Sequence, residues 1–201
     1  MHIDFRKMRF ITVAADSSSC PEPGLPEIVL AGRSNSGKSS LVNALANRKD
    51  LSRVSSTPGK TRLVVYYGIE DTLLLADLPG YGYAQASRQE IQRFSGLADR
   101  YFQSGRPIHL ALVLLDIRHE PSESDRTMMR YLSDRAIPFM PVFNKTDKLS
   151  RAACSRAMAG HRSWLQKNGF SAEPLAVSTQ TREGMDALVA SLSSFLFPDS
   201  I

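Results

Sequence analysis

The sequence predicts an α/β fold of three layers, a mostly parallel sheet with one antiparallel strand pair and helices on both faces. Three observations carry this expectation. Short apolar runs of strand type alternate with longer segments whose apolar residues recur at helical spacing, the pattern of a sheet joined by crossover helices. A glycine-rich turn, Gly32-Arg33-Ser34-Asn35-Ser36-Gly37-Lys38-Ser39, stands between a strand run and a helical one. Glu70-Asp71 separates two further apolar runs by only two residues, which reads as a hairpin.

The elements follow in order. Arg9 to Ala14 is an N-terminal strand candidate, and residues 15–26, rich in Ser and Pro, are the loop after it. Glu27 to Ala31 is an apolar strand run, and Leu41, Ala44 and Leu45 mark the helix that follows the glycines. Leu63 to Ile69 and Thr72 to Asp77 form the hairpin. Helical patterns fall near 88–104, 122–135, 151–167 and 183–197, and strands near 110–116, 138–143 and 173–178. Pro138 and Pro141 suit a short or edge-like strand. The last helix is the plainest, with Leu188, Leu192, Phe195 and Leu196 on one face. The organisation expected is an N-terminal strand and loop, 1–26, then a single domain, 27–201, without repeats.

With 201 residues, 42% of them hydrophobic, the chain can bury a sizeable core. Its longest apolar run, Leu110 to Leu115, is far short of a membrane span, and no secretory h-region is evident at the N-terminus. Cys20 and Cys154 make no framework, and His2, His109, His119 and His161 are too scattered for a metal set. A reduced, cytoplasmic setting without membrane contact is the expectation.

The chemistry lies in the loops. Gly32 to Ser39 matches the phosphate-cradling pattern G-x-x-x-x-G-K-[ST]. Gly32 and Gly37 let backbone N–H groups turn inward on phosphate oxygens, and the next helix points its positive end at the same anion. Lys38 supplies charge to the β- and γ-phosphates, and the Ser39 hydroxyl is placed to ligate Mg²⁺. Asn144-Lys145-Thr146-Asp147, at the end of the 138–143 strand, names the base. Guanine presents N1–H and N2–H₂ side by side to the two carboxylate oxygens of Asp147, whereas adenine offers no such pair. Asn144 either bonds the O6/N7 side of the base or ties this loop to the phosphate loop, and the Lys145 stem can lie over the purine. GTP and GDP are therefore the expected ligands.

Two segments lie between these poles. Asp77-Leu78-Pro79-Gly80 ends a strand, where a carboxylate can stand behind Mg²⁺ and the Gly80 N–H can reach the γ-phosphate. Ser55 to Thr61 is a polar loop in which Thr57 or Thr61 can offer a hydroxyl to Mg²⁺; Thr61, nearer the following strand, is preferred. Lys38, Thr61 and Gly80 form the expected catalytic set. Tyr81 stands where a water-orienting Gln stands in Ras-type enzymes, so intrinsic hydrolysis should be slow. Arg33, Arg53 and Arg62 give no reason to single out one as an arginine finger.

The motif order resembles the EngB (YihA/YsxC) family of bacterial ribosome-assembly GTPases, within the translation-factor class. The marks are Gly-Arg-Ser-Asn-x-Gly-Lys-Ser at 32–39, Thr57-Pro58-Gly59-Lys60-Thr61, Asp77-Leu78-Pro79-Gly80-Tyr81-Gly82-Tyr83-Ala84 and Asp116-Ile117-Arg118-His119. The likeness runs from about Phe10 to Phe197. It implies Ser39 and Thr61 as Mg²⁺ ligands, with Asp77 behind them. It implies nucleotide contacts from Gly32 to Ser39 and from Gly59, Lys60, Thr61, Arg62 and Leu63. It adds Asp77, Leu78, Pro79 and Gly80, then Asn144, Lys145, Thr146 and Asp147, and Val177, Ser178 and Thr179, where a backbone N–H would donate to guanine O6. Asn35 matches a phosphate-loop Asn that holds K⁺ in related GTPases. The family often has Thr where this chain has Asn144; Asn is commoner among GTPases generally, which strengthens the guanine reading.

The resemblance further implies a monomeric switch in large ribosomal subunit assembly, acting on a precursor particle and its rRNA, with an indirect need in cell division and septation. Charge agrees: the net charge is +5 and the pI near 9.4. Arg48, Lys49, Arg53, Lys60 and Arg62 face only Asp50, and Lys148, Arg151, Arg156, Arg162 and Lys167 face no acid in that stretch. On a helical wheel Arg151, Arg156, Arg162 and Lys167 lie opposite Ala153, Ala157, Trp164 and Leu165, a face suited to RNA phosphates. Two other classes stay open, a nucleotide kinase and a GTP-binding scaffold without turnover.

Overall fold

A computed structural model describes residues 3–15, 19–52, 63–81 and 98–197. Seven strands form one sheet: β1 (Met8–Ala14), β2 (Glu27–Gly32), β3 (Val64–Ile69), β4 (Leu73–Asp77), β5 (Ile108–Asp116), β6 (Phe139–Asn144) and β7 (Leu175–Ala176). Their order is β1-β3-β4-β2-β5-β6-β7. β2 pairs in parallel with β4 and β5, as β6 does with β5 and β7. The expected hairpin is β3–β4, and β3 also runs antiparallel to β1, so the N-terminal strand closes the sheet edge. The hairpin turn is one residue longer than the sequence suggests. Thr72 joins it, donating to Ile69 O at 3.4 Å, and Glu70 takes a φ of 50°.

Side chains alternate across the central strands, so one strand feeds two cores. Ile28 and Leu30 of β2 and Leu110, Leu112 and Leu114 of β5 pack on one face, beneath α1 (Lys38–Leu45) and α4 (Met185–Leu196). Val29, Ala111, Val113 and Leu115 pack on the other, beneath α2 (Glu123–Asp134), α3 (Arg151–Lys167) and the helical residues 98–103. Of the helix expected at 88–104, the part before Ala98 lies outside the described residues.

Three details differ from expectation. β6 is internal despite its prolines. Pro141 pairs with Val113 of β5, while β7 joins β6 only at Val142 and Phe143, so the missing N–H meets no second neighbour. The strand expected at 173–178 shrinks to Leu175–Ala176, following Pro174. Phe195, assigned by its wheel position to the buried face of α4, is 43% exposed, whereas Leu188 and Leu192 are fully buried. It sits in the last turn, where the helix runs off the core. His161 is a core residue, stacked on Phe143 at 4.0 Å with a ring nitrogen 3.0 Å from Ile117 O. No described helix is long and apolar enough to cross a membrane.

Candidate functional site

The carboxyl ends of β2, β4, β5 and β6 converge on one rim, where parallel sheets place ligands. β2 runs into the glycine-rich loop, and Gly37, at φ 103°, serves as the α1 N-cap with no side-chain hydrogen bond on the first turn. The leading N–H groups of α1 therefore carry no capping side chain, and the helix dipole adds to them. Asn35 takes a φ of 65°, bending the loop over this helix end. Gly32 must be glycine for a different reason: a Cβ there would lie 2.7 Å from Ser36 Oγ and 2.8 Å from Leu114 O.

β4 carries Asp77 to the same rim, in register with Leu30, and Leu78 N–H donates to Leu30 O at 3.0 Å. Asp77 is buried, and its Oδ1 has no hydrogen-bond partner. Burial pushes its pKa up to about 6, against the pull of the Lys38 ammonium. A buried carboxylate oxygen without a hydrogen-bond partner is the kind of oxygen that fits behind a hydrated Mg²⁺. Gly80 presses on the loop, since a Cβ there would stand 2.9 Å from Ser34 N.

β6 delivers the second pole. Asn144 is buried and joins three segments at once: its Nδ2 donates to Ser36 O at 3.2 Å, and its Oδ1 accepts from Lys145 N at 2.8 Å and Thr179 N at 3.2 Å. Of the two roles open to Asn144, the structure displays the tie to the phosphate loop. A Cβ on Gly37 would collide with the same Asn144 amide. Lys145, at φ 74°, sends its ammonium across to Asn35 O at 2.8 Å and Asp116 Oδ2 at 2.9 Å. Thr146 is buried beside Glu183. Asp147 accepts from Ser178 Oγ at 2.7 Å and pairs with Lys148 at 3.1 Å. The Ser178 hydroxyl and then Lys148 hold its carboxyl below the usual range, burial opposing, so it stays ionised. Val177 N–H bonds Phe143 O, Ser178 N–H bonds Glu183 O, and Ser178 Oγ also gathers the N–H groups of Gln180 and Thr181. The structure thus brings Gly32–Ser39, Asp77–Gly80, Asn144–Asp147 and Val177–Thr179 together. Thr57, Gly59, Lys60, Thr61 and Arg62 lie outside the described residues, as do Arg53 and, after Tyr81, Gly82, Tyr83 and Ala84; Leu63 is described and half-buried.

A family model described as 50S ribosome-binding GTPase matches residues 27–145. The probable GTP-binding protein EngB of Syntrophomonas wolfei is 42% identical over 196 residues, covering 98% of this chain and 100% of that protein. This chain belongs to the EngB family. The EngB protein of Geobacillus kaustophilus is 36% identical over 195 residues, 96% of this chain and 99% of its own. A crystal structure of a probable GTP-binding protein EngB superposes with a TM-score of 0.69 at 20% identity, over 85% of this chain and 98% of that one. A variant of Era from Aquifex aeolicus, bound to GDP and aluminium fluoride, also reaches 0.69 at 20% identity, over 86% of this chain and 57% of that one. These likenesses give the P-loop GTPase fold, and family membership makes the chain a GTP-binding GTPase.

In this EngB-family chain one site residue had no role assigned from the sequence. Asp116, at the end of β5, receives Arg118 at 2.9 and 2.7 Å and Lys145 at 2.9 Å, and these cations hold its carboxyl well below the usual range despite burial. It anchors the lysine that crosses between the two poles. The available signal was an acid ending a long apolar strand, as at Asp77. Asp116→Asn is expected to weaken GTP and GDP equally, by about 5- to 30-fold, the worth of one partly exposed charged hydrogen bond. Fluorescence titration of both nucleotides checks this; unequal losses would place Asp116 elsewhere in the mechanism.

Proposed function

We propose that this protein is a slow, GTP-driven switch in assembly of the large ribosomal subunit, working as a cytoplasmic monomer. The observation that carries the reading is the junction at Asn144, which binds the guanine-reading loop to the phosphate-cradling loop as one site for a guanine nucleotide. In this reading the N–H groups of Gly32–Ser39 hold the phosphates, Lys38 neutralises them, and Asp147 reads N1–H and N2–H₂ with Ser178 fixing its carboxylate. The Thr179 N–H donates to Asn144 Oδ1, so a contact with O6 would share that hydrogen. Ser39 and Thr61 would hold Mg²⁺ with Asp77 behind them, and the ion would supply charge neutralisation at the γ-phosphate. Gly80 N–H would then sense the γ-phosphate, and Gly59 to Leu63 would contact the nucleotide.

Tyr81 supports slowness: its hydroxyl is engaged with Asp125 at 3.0 Å and is not available to orient water. Asn35 is exposed on the loop and could hold K⁺ there. The ribosomal reading rests on the family description and on charge: Arg151, Arg156, Arg162 and Lys167 are all exposed on α3, around the buried stripe of Met158, His161 and Leu165, with Arg162 paired to Glu173. A need in division and septation would follow indirectly from ribosome supply. One experiment tests the whole: phosphate release from GTP, alone and with large-subunit precursors, in matched KCl and NaCl. Slow release, raised by the particles and by K⁺, is expected. No release under any condition favours the scaffold; equal rates throughout overturn both particle and K⁺ dependence.

A further inference from the structure

Tyr81 is the first residue past Asp77–Gly80, and it is fastened three ways. Its N–H donates to Gly32 O at 3.3 Å and its carbonyl accepts from Ser34 N at 3.1 Å, a one-residue parallel bridge onto the phosphate loop. Its side chain turns the other way, and the hydroxyl donates to Asp125 Oδ1 at 3.0 Å. Asp125 is buried in the first turn of α2, and its second oxygen is committed there. Oδ2 accepts from Ser122 N at 2.9 Å and Ser122 Oγ at 2.6 Å, closing the capping box that starts the helix. One carboxylate therefore holds both the α2 N-terminus and the root of the segment after Gly80.

The surroundings make this bond matter mechanically. Between the phosphate loop and the entry to α2 lies a cleft of about 250 Å³, lined by Arg33, Ser34, Pro121 and Asp125 among others. Close packing would transmit displacement across such a seam without any one bond. Asp125 lines this cleft on the α2 side, and the Tyr81 hydroxyl is bonded to it. Gly80, one residue upstream, abuts Ser34, so its position depends on where Tyr81 is held.

We propose that Tyr81 is a positioning residue for nucleotide-state discrimination: its bond to Asp125 sets Gly80 against the phosphate loop in advance and couples any shift of Gly80 to α2. The proposal rests on the reading of Gly80 as the γ-phosphate sensor. Pre-setting lowers the ordering cost of GTP binding, whereas GDP, which has no γ-phosphate, gains nothing from it. A purely structural role would weaken both nucleotides alike.

The test compares GTP and GDP affinities in Tyr81→Phe and Gly80→Ala, with thermal melts of each. Tyr81→Phe keeps the ring and removes one hydrogen bond. It is expected to lower the GTP-over-GDP preference by about 3- to 15-fold with GDP affinity unchanged, and to lower the melting temperature, because Asp125 Oδ1 is left buried without its donor. Asp125→Asn, added to Tyr81→Phe, should lower the preference no further. If Gly80→Ala shifts the ratio and Tyr81→Phe does not, or raises it, the positioning role is overturned while the sensor reading stands. If Gly80→Ala leaves the ratio unchanged in a folded protein, the sensor reading fails and the proposal with it.

Discussion

Asp147→Asn is expected to lower GTP affinity by about 10²- to 10⁴-fold, because two charge-assisted hydrogen bonds of about 1.5–3 kcal/mol each are lost together. The same change should raise affinity for xanthosine triphosphate, whose C2 oxygen accepts from the new amide. The geometry favours a clean exchange. Ser178 Oγ fixes one side of the Asp147 group at 2.7 Å, and a hydroxyl serves an amide as well as a carboxylate. Titration of the variant with both nucleotides checks it; unchanged GTP affinity would refute the base-reading role of Asp147.

Asp77→Asn should have opposite effects on stability and function. The folded pKa of Asp77, about 6, lies above its ordinary 3.8, so ionising it in the buried site costs stability. That cost is absent below pH 3.8, grows through the interval and is complete above about 6. The neutral variant should therefore be more stable than the parent at pH 7–8 by about 2–3 kcal/mol, or roughly 4–10 °C in Tm, in the nucleotide-free protein. The gain should vanish near pH 4. Mg²⁺-dependent GTP binding should fall at the same time, since a neutral amide cannot stand behind the ion. Melting curves across pH, with and without Mg²⁺ and GTP, measure both effects. A variant less stable than the parent at pH 8 would overturn the burial account of Asp77.

What the sequence made legible was chemistry written in consecutive residues. Gly32 to Ser39 carries its own conformational demands, and the apolar strand before it and the helix after it are both plain enough to read. The β3–β4 hairpin was legible from a short polar gap, though one residue of its turn was not. What depended on contacts between distant segments was hidden. The two roles open to Asn144 could be separated only by placing Ser36 beneath it, and the Asp116–Lys145 pair forms only because β5 and β6 are neighbours. The Tyr81–Asp125 bond joins a strand exit to a helix start with nothing in either segment to announce it. Phe195 misled because a wheel gives direction around a helix but not how far the core extends along it.

Asn144 gives the site a property beyond affinity. Because one side chain is bonded to the 32–39 loop, to its own loop and to Thr179, the separation between the segments proposed to hold phosphate and base is fixed. In the proposed reading the protein would work as a gauge of fixed span, engaging a ligand fully only if its purine and its phosphates fit the gap together. Guanosine alone or pyrophosphate alone would reach one jaw and gain little from the other. In that reading the Asn144 frame sets the distance from base to phosphates, and Gly80 is left to register the γ-phosphate.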